Sequence, residues 1–222
     1  MDDHDKAGGT LSTNSIVARD EQTSPVPPRV AEISRKTRET DIVAQLRIDG
    51  SGRSRVNTGV PFLDHMLDSF ARHGFFDLII EARGDLQIDD HHTVEDVGIV
   101  LGRAFKQSLG DRSGIRRFGE ATVPLDEALC TAIVDISGRV YFADDIEIKQ
   151  ERVGNFQTVL LHDFMKALAD ETGMNLHLKL HSGRNPHHII EAVFKALARA
   201  MDQATAIEPR LAGALSTKGT LA

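Results

Sequence analysis

Two spacings of apolar residues alternate along the chain. Ile42, Ala44, Leu46 and Ile48 fall on every second position, which predicts a strand with one buried face. Asp49-Gly50-Ser51-Gly52 has turn chemistry, so Arg53 to Thr58 is expected to return as its hairpin partner. Phe62, Met66, Leu67 and Phe70 then follow helical spacing behind Pro61, a residue suited to a first helical position. Gly74 is expected to supply the left-handed residue that ends this helix. Alternation resumes at Phe76, Leu78 and Ile80. A second helix is predicted after Asp89-Asp90, with Val94, Val97, Leu101, Phe105 and Leu109 inward and an end near Gly110.

The same order recurs further on. Leu129 to Ile136 reads as a strand that turns at Ser137-Gly138 into Val140 to Ile148. A helical segment from Val159 to Met165 runs on to Gly173, alternation returns at Leu176, Leu178 and Leu180, and Asn185-Pro186 caps a last helix. That helix turns Ile190, Val193, Phe194, Leu197 and Met201 inward. The chain thus reads as two copies of a unit of roughly ninety residues. The expected class is α+β: two duplicated half-domains, each a small, mostly antiparallel sheet packed against two helices, with the helices sandwiched between the two sheets. The expected division is a disordered extension over residues 1–28, a first half over 29–117, a second half over 118–208 and a tail over 209–222.

Composition narrows the function. Hydrophobic residues make up 41%, enough for a packed interior, while aromatics are 5% with no tryptophan, a poor base for stacking single-stranded nucleic acid. A net charge of -7 offers no global basic field, so no nucleic-acid partner is expected. The lone Cys130 lies in an apolar run and reads as a small buried residue of a reducing compartment. With no long apolar span and no signal-peptide pattern, no membrane partner is expected, and the location is expected to be cytoplasmic.

The repeat carries chemistry as well as fold. His91-His92-Thr93-Val94-Glu95 opens one helix and His187-His188-Ile189-Ile190-Glu191 opens the other. On a helix, residues three and four apart lie on one face, so an imidazole and a carboxylate can converge on one ion. Upstream of each box stands one more helical histidine: His65 precedes His91 by 26 positions, and His162 precedes His187 by 25. Six of the ten histidines fall in this pattern. A single helical histidine is commonly a surface or satisfied core residue; eight matched groups, buried without metal, would each incur a desolvation cost. The natural reading is a metal enzyme with two related sites, whose ligands are His65, His91, His92, Glu95, His162, His187, His188 and Glu191. Nitrogen and oxygen donors of this kind suit Mn, Fe, Co or Zn. The helix N-terminus favours the neutral ring that a metal requires.

Basic residues offer a phosphate site. Arg116-Arg117, Arg139 and Ser216-Thr217-Lys218 combine guanidinium forks, hydroxyls and an ammonium, although singly each is an ordinary surface group. His73 suits either a substrate contact or a charge at a helix C-terminus.

Phe62-Leu63-Asp64-His65-Met66-Leu67, the box from His91 to Asp96, Gly114-Ile115-Arg116-Arg117-Phe118-Gly119, Asp126-Glu127-Ala128 and Gly183-Arg184 through Glu191 closely resemble the imidazoleglycerol-phosphate dehydratase family of histidine biosynthesis. The resemblance spans residues 29 to 219 and implies a monofunctional hydro-lyase. It implies dehydration of D-erythro-imidazole glycerol phosphate to imidazole acetol phosphate, with the substrate imidazolate held between two Mn²⁺ ions. It also implies a homo-oligomer of about 24 subunits with sites shared between subunits. Carried over residue by residue, it makes the eight His and Glu residues the metal ligands. Glu191 and Glu39 become the catalytic pair, and Glu39, His73, Arg117, Arg139, Ser216, Thr217 and Lys218 the substrate contacts. Two other readings stand beside it. A dinuclear phosphoesterase would use Arg117 and Lys218 on its substrate but usually needs bridging aspartates, and Asp64 and Asp163 flank their histidines in different order. A metal-storing oligomer would saturate its sites with protein ligands.

Overall fold

The computed structural model describes residues 28–221. The extension expected over residues 1–28 therefore lies outside the described residues except for Pro28. The first half contains β1 (Val30–Lys36), β2 (Thr40–Arg47), β3 (Ser54–Asn57), α1 (Pro61–Gly74), β4 (Asp77–Gly84) and α2 (His91–Leu109). The second contains β5 (Phe118–Leu125), β6 (Ala128–Asp135), β7 (Tyr141–Asp145), the short pair β8 (Arg152–Val153) and β9 (Phe156–Gln157), α3 (Leu160–Thr172), β10 (Asn175–Ser182) and α4 (Pro186–Thr205). The sheets have orders β1-β2-β4-β3 and β5-β6-β10-β7, so each strand of one has a counterpart in the other.

Helices fill the space between the sheets. α2 packs on β1 and β2, α4 packs on β5 and β6, and across the middle α1 meets α4 while α2 meets α3. The helical faces read from spacing all point inward: Val94, Val97, Leu101 and Phe105 of α2 and Ile190, Val193, Phe194, Leu197 and Met201 of α4 are buried. Phe70, Phe76 and Phe105 form one aromatic knot and Phe164 with Phe194 another. Burying each ring contributes about 1.5–3 kcal/mol.

Two strand pairings differ from the expected hairpins. Arg53 to Thr58 does not fold back on β2; β3 runs parallel to β4, from Ser54 opposite Leu78 to Asn57 opposite Glu81. Both edges of β2 are occupied, by β1 and β4, so β3 must land on the far side of β4. Asp77 guides that crossing. Its buried carboxylate accepts from the backbone N–H of Ser51 (2.9 Å) and Arg53 (3.1 Å) and from the Arg53 guanidinium (2.6 Å). Bonds to these donors hold the Asp77 carboxyl below its usual range, although burial opposes them.

The second half repeats the deviation. Val140 to Ile148 does not return along β6; β7 pairs parallel with β10, because β5 and β10 take both edges of β6. Gly138 N–H on the Gly173 carbonyl (2.9 Å) and Asn175 Nδ2 on the Arg139 carbonyl (2.6 Å) pin the turn beside the start of β10.

Gly74 also plays a different part. The left-handed residue after α1 is Phe75 (φ 57°), whereas Gly74 is needed for space: a Cβ there would stand 2.3 Å from the Phe76 ring and 3.1 Å from the Ala198 carbonyl of α4. At the entry of α2, Asp89 rather than Asp90 caps, accepting from the His91 N–H at 2.9 Å. Close approach is stronger between α2 and α3. A Cβ at Gly98 would lie 2.8 Å from the Phe164 carbonyl oxygen, and one at Gly102 2.9 Å from that of Leu168. Gly98→Ala is therefore expected to lower stability by about 1–3 kcal/mol in urea denaturation. An unchanged midpoint would mean that the helices can separate without penalty.

Candidate functional site

The two helix pairs carry the histidines. Between α1 and α4, His65 Nε2 lies 3.7 Å and His187 Nε2 3.2 Å from Glu191 Oε2. His187 and Glu191 share a face because they are four residues apart on α4, and α1 presents His65 across the contact. Their donor atoms all lie within 4.8 Å of one another, and among the described residues this is the group of three donors that converges. Lys195, one turn further along α4, places Nζ 2.9 Å from Glu191 Oε1. Burial alone would raise the Glu191 pKa; the Lys195 bond and the charges of Lys195, His65 and His187 outweigh it and bring it below the ordinary range.

Between α2 and α3 the arrangement is looser. His91 lies 3.7 Å from Glu95 and 3.5 Å from Asp163, while His162 turns Nδ1 to Asp144 at 2.9 Å. Among the described residues, His91, Glu95 and His162 do not converge as His65, His187 and Glu191 do. Nor do His92 and His188 join the clusters. His92 Nδ1 sits 3.0 Å from Asp85, and His188 Nδ1 2.8 Å from Glu127.

These carboxylates reverse the electrostatics expected at the helix starts. The bond to Asp85 raises the His92 pKa, aided by the charges of Glu39, Asp85 and Asp89, and the bond to Glu127 raises that of His188. Glu127 is in turn lowered to about 2, by His188 first and then by the Asn185 N–H. A hydrogen-bonded carboxylate outweighs the partial charge of a helix terminus.

His73 behaves differently from both. It lines the cavity that holds His65 and Glu191, about 560 Å³ in volume, together with Arg53, Arg72 and Lys195. Burial lowers its pKa, and the charges of Lys195 and Arg199 lower it further.

The expected phosphate residues assemble around a separate cavity of about 840 Å³, lined by Arg117, Arg139, Ser216, Thr217 and Lys218. Arg117 is its keystone. Its Nε and one terminal nitrogen bind Asp135 of β6 at 2.6 and 2.9 Å, and the other donates to the Leu215 carbonyl at 2.8 Å, tying the C-terminal segment to the sheet. The two cavities share no lining residue. Glu39 belongs to neither; it is the exposed second residue of the β1–β2 turn, its N–H donating to Thr37 Oγ1.

Lys195, Asp85, Asp144 and Glu127 were not singled out for a role in the sequence. Lys195 had a usable signal, four positions after Glu191 on the same helical face; Asp85 and Asp144 come close only through tertiary folding. The flanking aspartates do not form the matched pair that a phosphoesterase reading wants. Asp64 accepts from the Thr58 N–H (2.8 Å) and hydroxyl (2.6 Å), whereas Asp163 faces His91. Cys130 is fully buried, and burial pushes its thiol up to about 12, in keeping with an apolar filler.

Known proteins resemble this chain over most of its length. The family model described as imidazoleglycerol-phosphate dehydratase matches residues 58–201. An imidazoleglycerol-phosphate dehydratase of Pelobacter propionicus is 56% identical over 193 residues, covering 87% of this chain and 99% of that protein. One from Symbiobacterium thermophilum is 54% identical over 200 residues, 90% of this chain and 96% of its own. The crystal structure of the Staphylococcus aureus enzyme superposes with a TM-score of 0.74 at 37% identity, over 81% of this chain and 99% of the other. That from Pyrococcus furiosus gives 0.74 at 38%, over 85% and 100%. With its duplicated sheets, paired histidine boxes and these relatives over nearly their whole length, the chain belongs to the imidazoleglycerol-phosphate dehydratase family.

Proposed function

We propose that the protein dehydrates D-erythro-imidazole glycerol phosphate to imidazole acetol phosphate, a hydro-lyase step of histidine biosynthesis, in the cytoplasm and with two Mn²⁺ ions per site. The observation that carries this reading is the convergence of His65, His187 and Glu191 from two helices, backed by Lys195. Among the described residues no helix is long and apolar enough to cross a membrane.

The donors fit a divalent transition ion. Two imidazole nitrogens and a carboxylate oxygen are borderline ligands that leave room for substrate. His65, His187 and Glu191 would form one set, His91, Glu95 and His162 the related set, with His92 and His188 as further arms. When bound, the ions would supply Lewis acidity to the substrate ring, stabilising it as the imidazolate.

The chain's own residues divide the remaining work. The proton to be lost sits on a carbon with no carbonyl beside it, so the ring must accept the charge that an enolate would otherwise carry. Glu191, kept ionised by Lys195, takes that proton. Glu39 delivers a proton to the hydroxyl on the adjacent carbon, which leaves as water, and the enol then becomes the ketone. His73 contacts substrate in the Glu191 cavity. Arg117, Arg139, Ser216, Thr217 and Lys218 hold the phosphate through charge-assisted bonds.

In one chain these groups stand apart: Glu39 lies on the β1–β2 turn, the phosphate residues line one cavity and Glu191 another. A complete site is expected to form between copies of the chain, in a particle of about 24 subunits. Glu191→Gln is expected to reduce turnover by about 10²–10⁴-fold with the circular dichroism spectrum retained; turnover within a few-fold of the parent would contradict its role. Chelation should yield a smaller, less stable species in sedimentation. The same large particle with and without chelator would refute metal-dependent assembly.

A further inference from the structure

Three of the six box and upstream histidines hydrogen-bond a carboxylate through Nδ1, His92 to Asp85 (3.0 Å), His162 to Asp144 (2.9 Å) and His188 to Glu127 (2.8 Å), while His91 Nδ1 lies farther from Asp163, at 3.5 Å. The carboxylates come from three different elements. Asp85 lies in the β4–α2 loop, Asp144 on β7 and Glu127 on the β5–β6 turn.

His92 and His188 occupy equivalent positions in the two halves, yet their partners do not. The β4–α2 loop, residues 85–90, contains Asp85; the β10–α4 loop is only Gly183-Arg184-Asn185 and has no carboxylate. In the second half the partner comes instead from the turn between the first two strands. Glu127 is the second residue of that turn, which consists of Asp126 and Glu127 between the paired Leu125 and Ala128. In the first half the same position belongs to Glu39, since the Thr37 N–H bonds the Thr40 carbonyl at 2.8 Å and leaves Arg38 and Glu39 between them. The duplicated halves thus reach one ring contact by two routes, which points to a demand made by the ring rather than to shared ancestry of the loops.

We infer that Asp85, Glu127 and Asp144 are positioning residues that hold His92, His188 and His162 with Nδ1–H bonded, so that Nε2 is the nitrogen available as the ligand atom; that of His188 lies 3.9 Å from Asp126. The inference rests on the metal reading proposed above. A carboxylate on the far nitrogen selects the tautomer, orients the ring and increases its basicity as a ligand. The exchange of partners has a second consequence. Because Asp85 serves His92, the turn carboxylate of the first half is not spent on a histidine, and Glu39 stays exposed at the place where its twin Glu127 is committed to His188, Arg184 N–H and Asn185 N–H.

Asp85 gives the cleanest test, since Glu127 also holds the backbone entering α4 and Asp144 also takes the Ile146 N–H. Free Mn²⁺ can be counted by electron paramagnetic resonance during titration of metal-stripped, full-length protein. Asp85→Ala is expected to weaken Mn²⁺ binding by about 10–100-fold with the melting temperature of the metal-free protein unchanged. Asp85→Asn, whose amide oxygen can still accept from Nδ1–H, should recover part of that loss. Should Asp85→Ala not fold, Asp144→Ala carries the same expectation. Parent-like affinity in the folded Ala variant would overturn the inference and leave the metal reading intact; a parent protein that takes up no Mn²⁺ would overturn both.

Discussion

The closeness of two helix pairs is the constraint on which the site depends. Donor atoms from α1 and α4 come within 4.8 Å of one another, and the two helices approach closely where Gly74 of α1 faces the Ala198 carbonyl of α4. The same holds for α2 and α3 through Gly98 and Gly102. A side chain at Gly98 or Gly102 would meet backbone of α3 inside van der Waals contact, and one at Gly74 would crowd both the Phe76 ring and α4. The sheets serve this middle layer: each covers the outer face of its helices and fixes where their first turns begin.

Charge distribution separates the functional groups. Around Glu191 the neighbours are cations and imidazoles, which lower its pKa, while His92 and His188 have carboxylate partners that raise theirs. The residues proposed to hold phosphate gather elsewhere, with Arg117 joining the C-terminal segment to β6 through Asp135. That separation within one chain is what makes assembly part of the functional proposal.

Helices and the face shared by His187 and Glu191 were legible in the sequence because both depend on local spacing. Val94 through Phe105 and Ile190 through Met201 point inward as a 3.6-residue period requires, and the i, i+4 relation of His187 and Glu191 survives folding intact. The pairing of β3 and β7 was not legible. A turn-like sequence such as Asp49 to Gly52 does not reveal that both edges of the preceding strand are already taken, nor that a buried Asp77 twenty-six residues beyond Ser51 will grip the loop. Gly74 misled for a related reason, since a glycine needed for close approach looks the same in sequence as one needed for a left-handed turn. Asp85 and Asp144 carry no local signal at all; their meaning arises only when tertiary structure puts them on a ring nitrogen.

The most direct test of the account is turnover of imidazole glycerol phosphate by protein stripped of metal and then reconstituted with Mn²⁺, read as formation of the ketone product. The account predicts product only after Mn²⁺ is restored. Equal turnover by the stripped protein, or none by a reconstituted protein with both ligand sets filled, would contradict it.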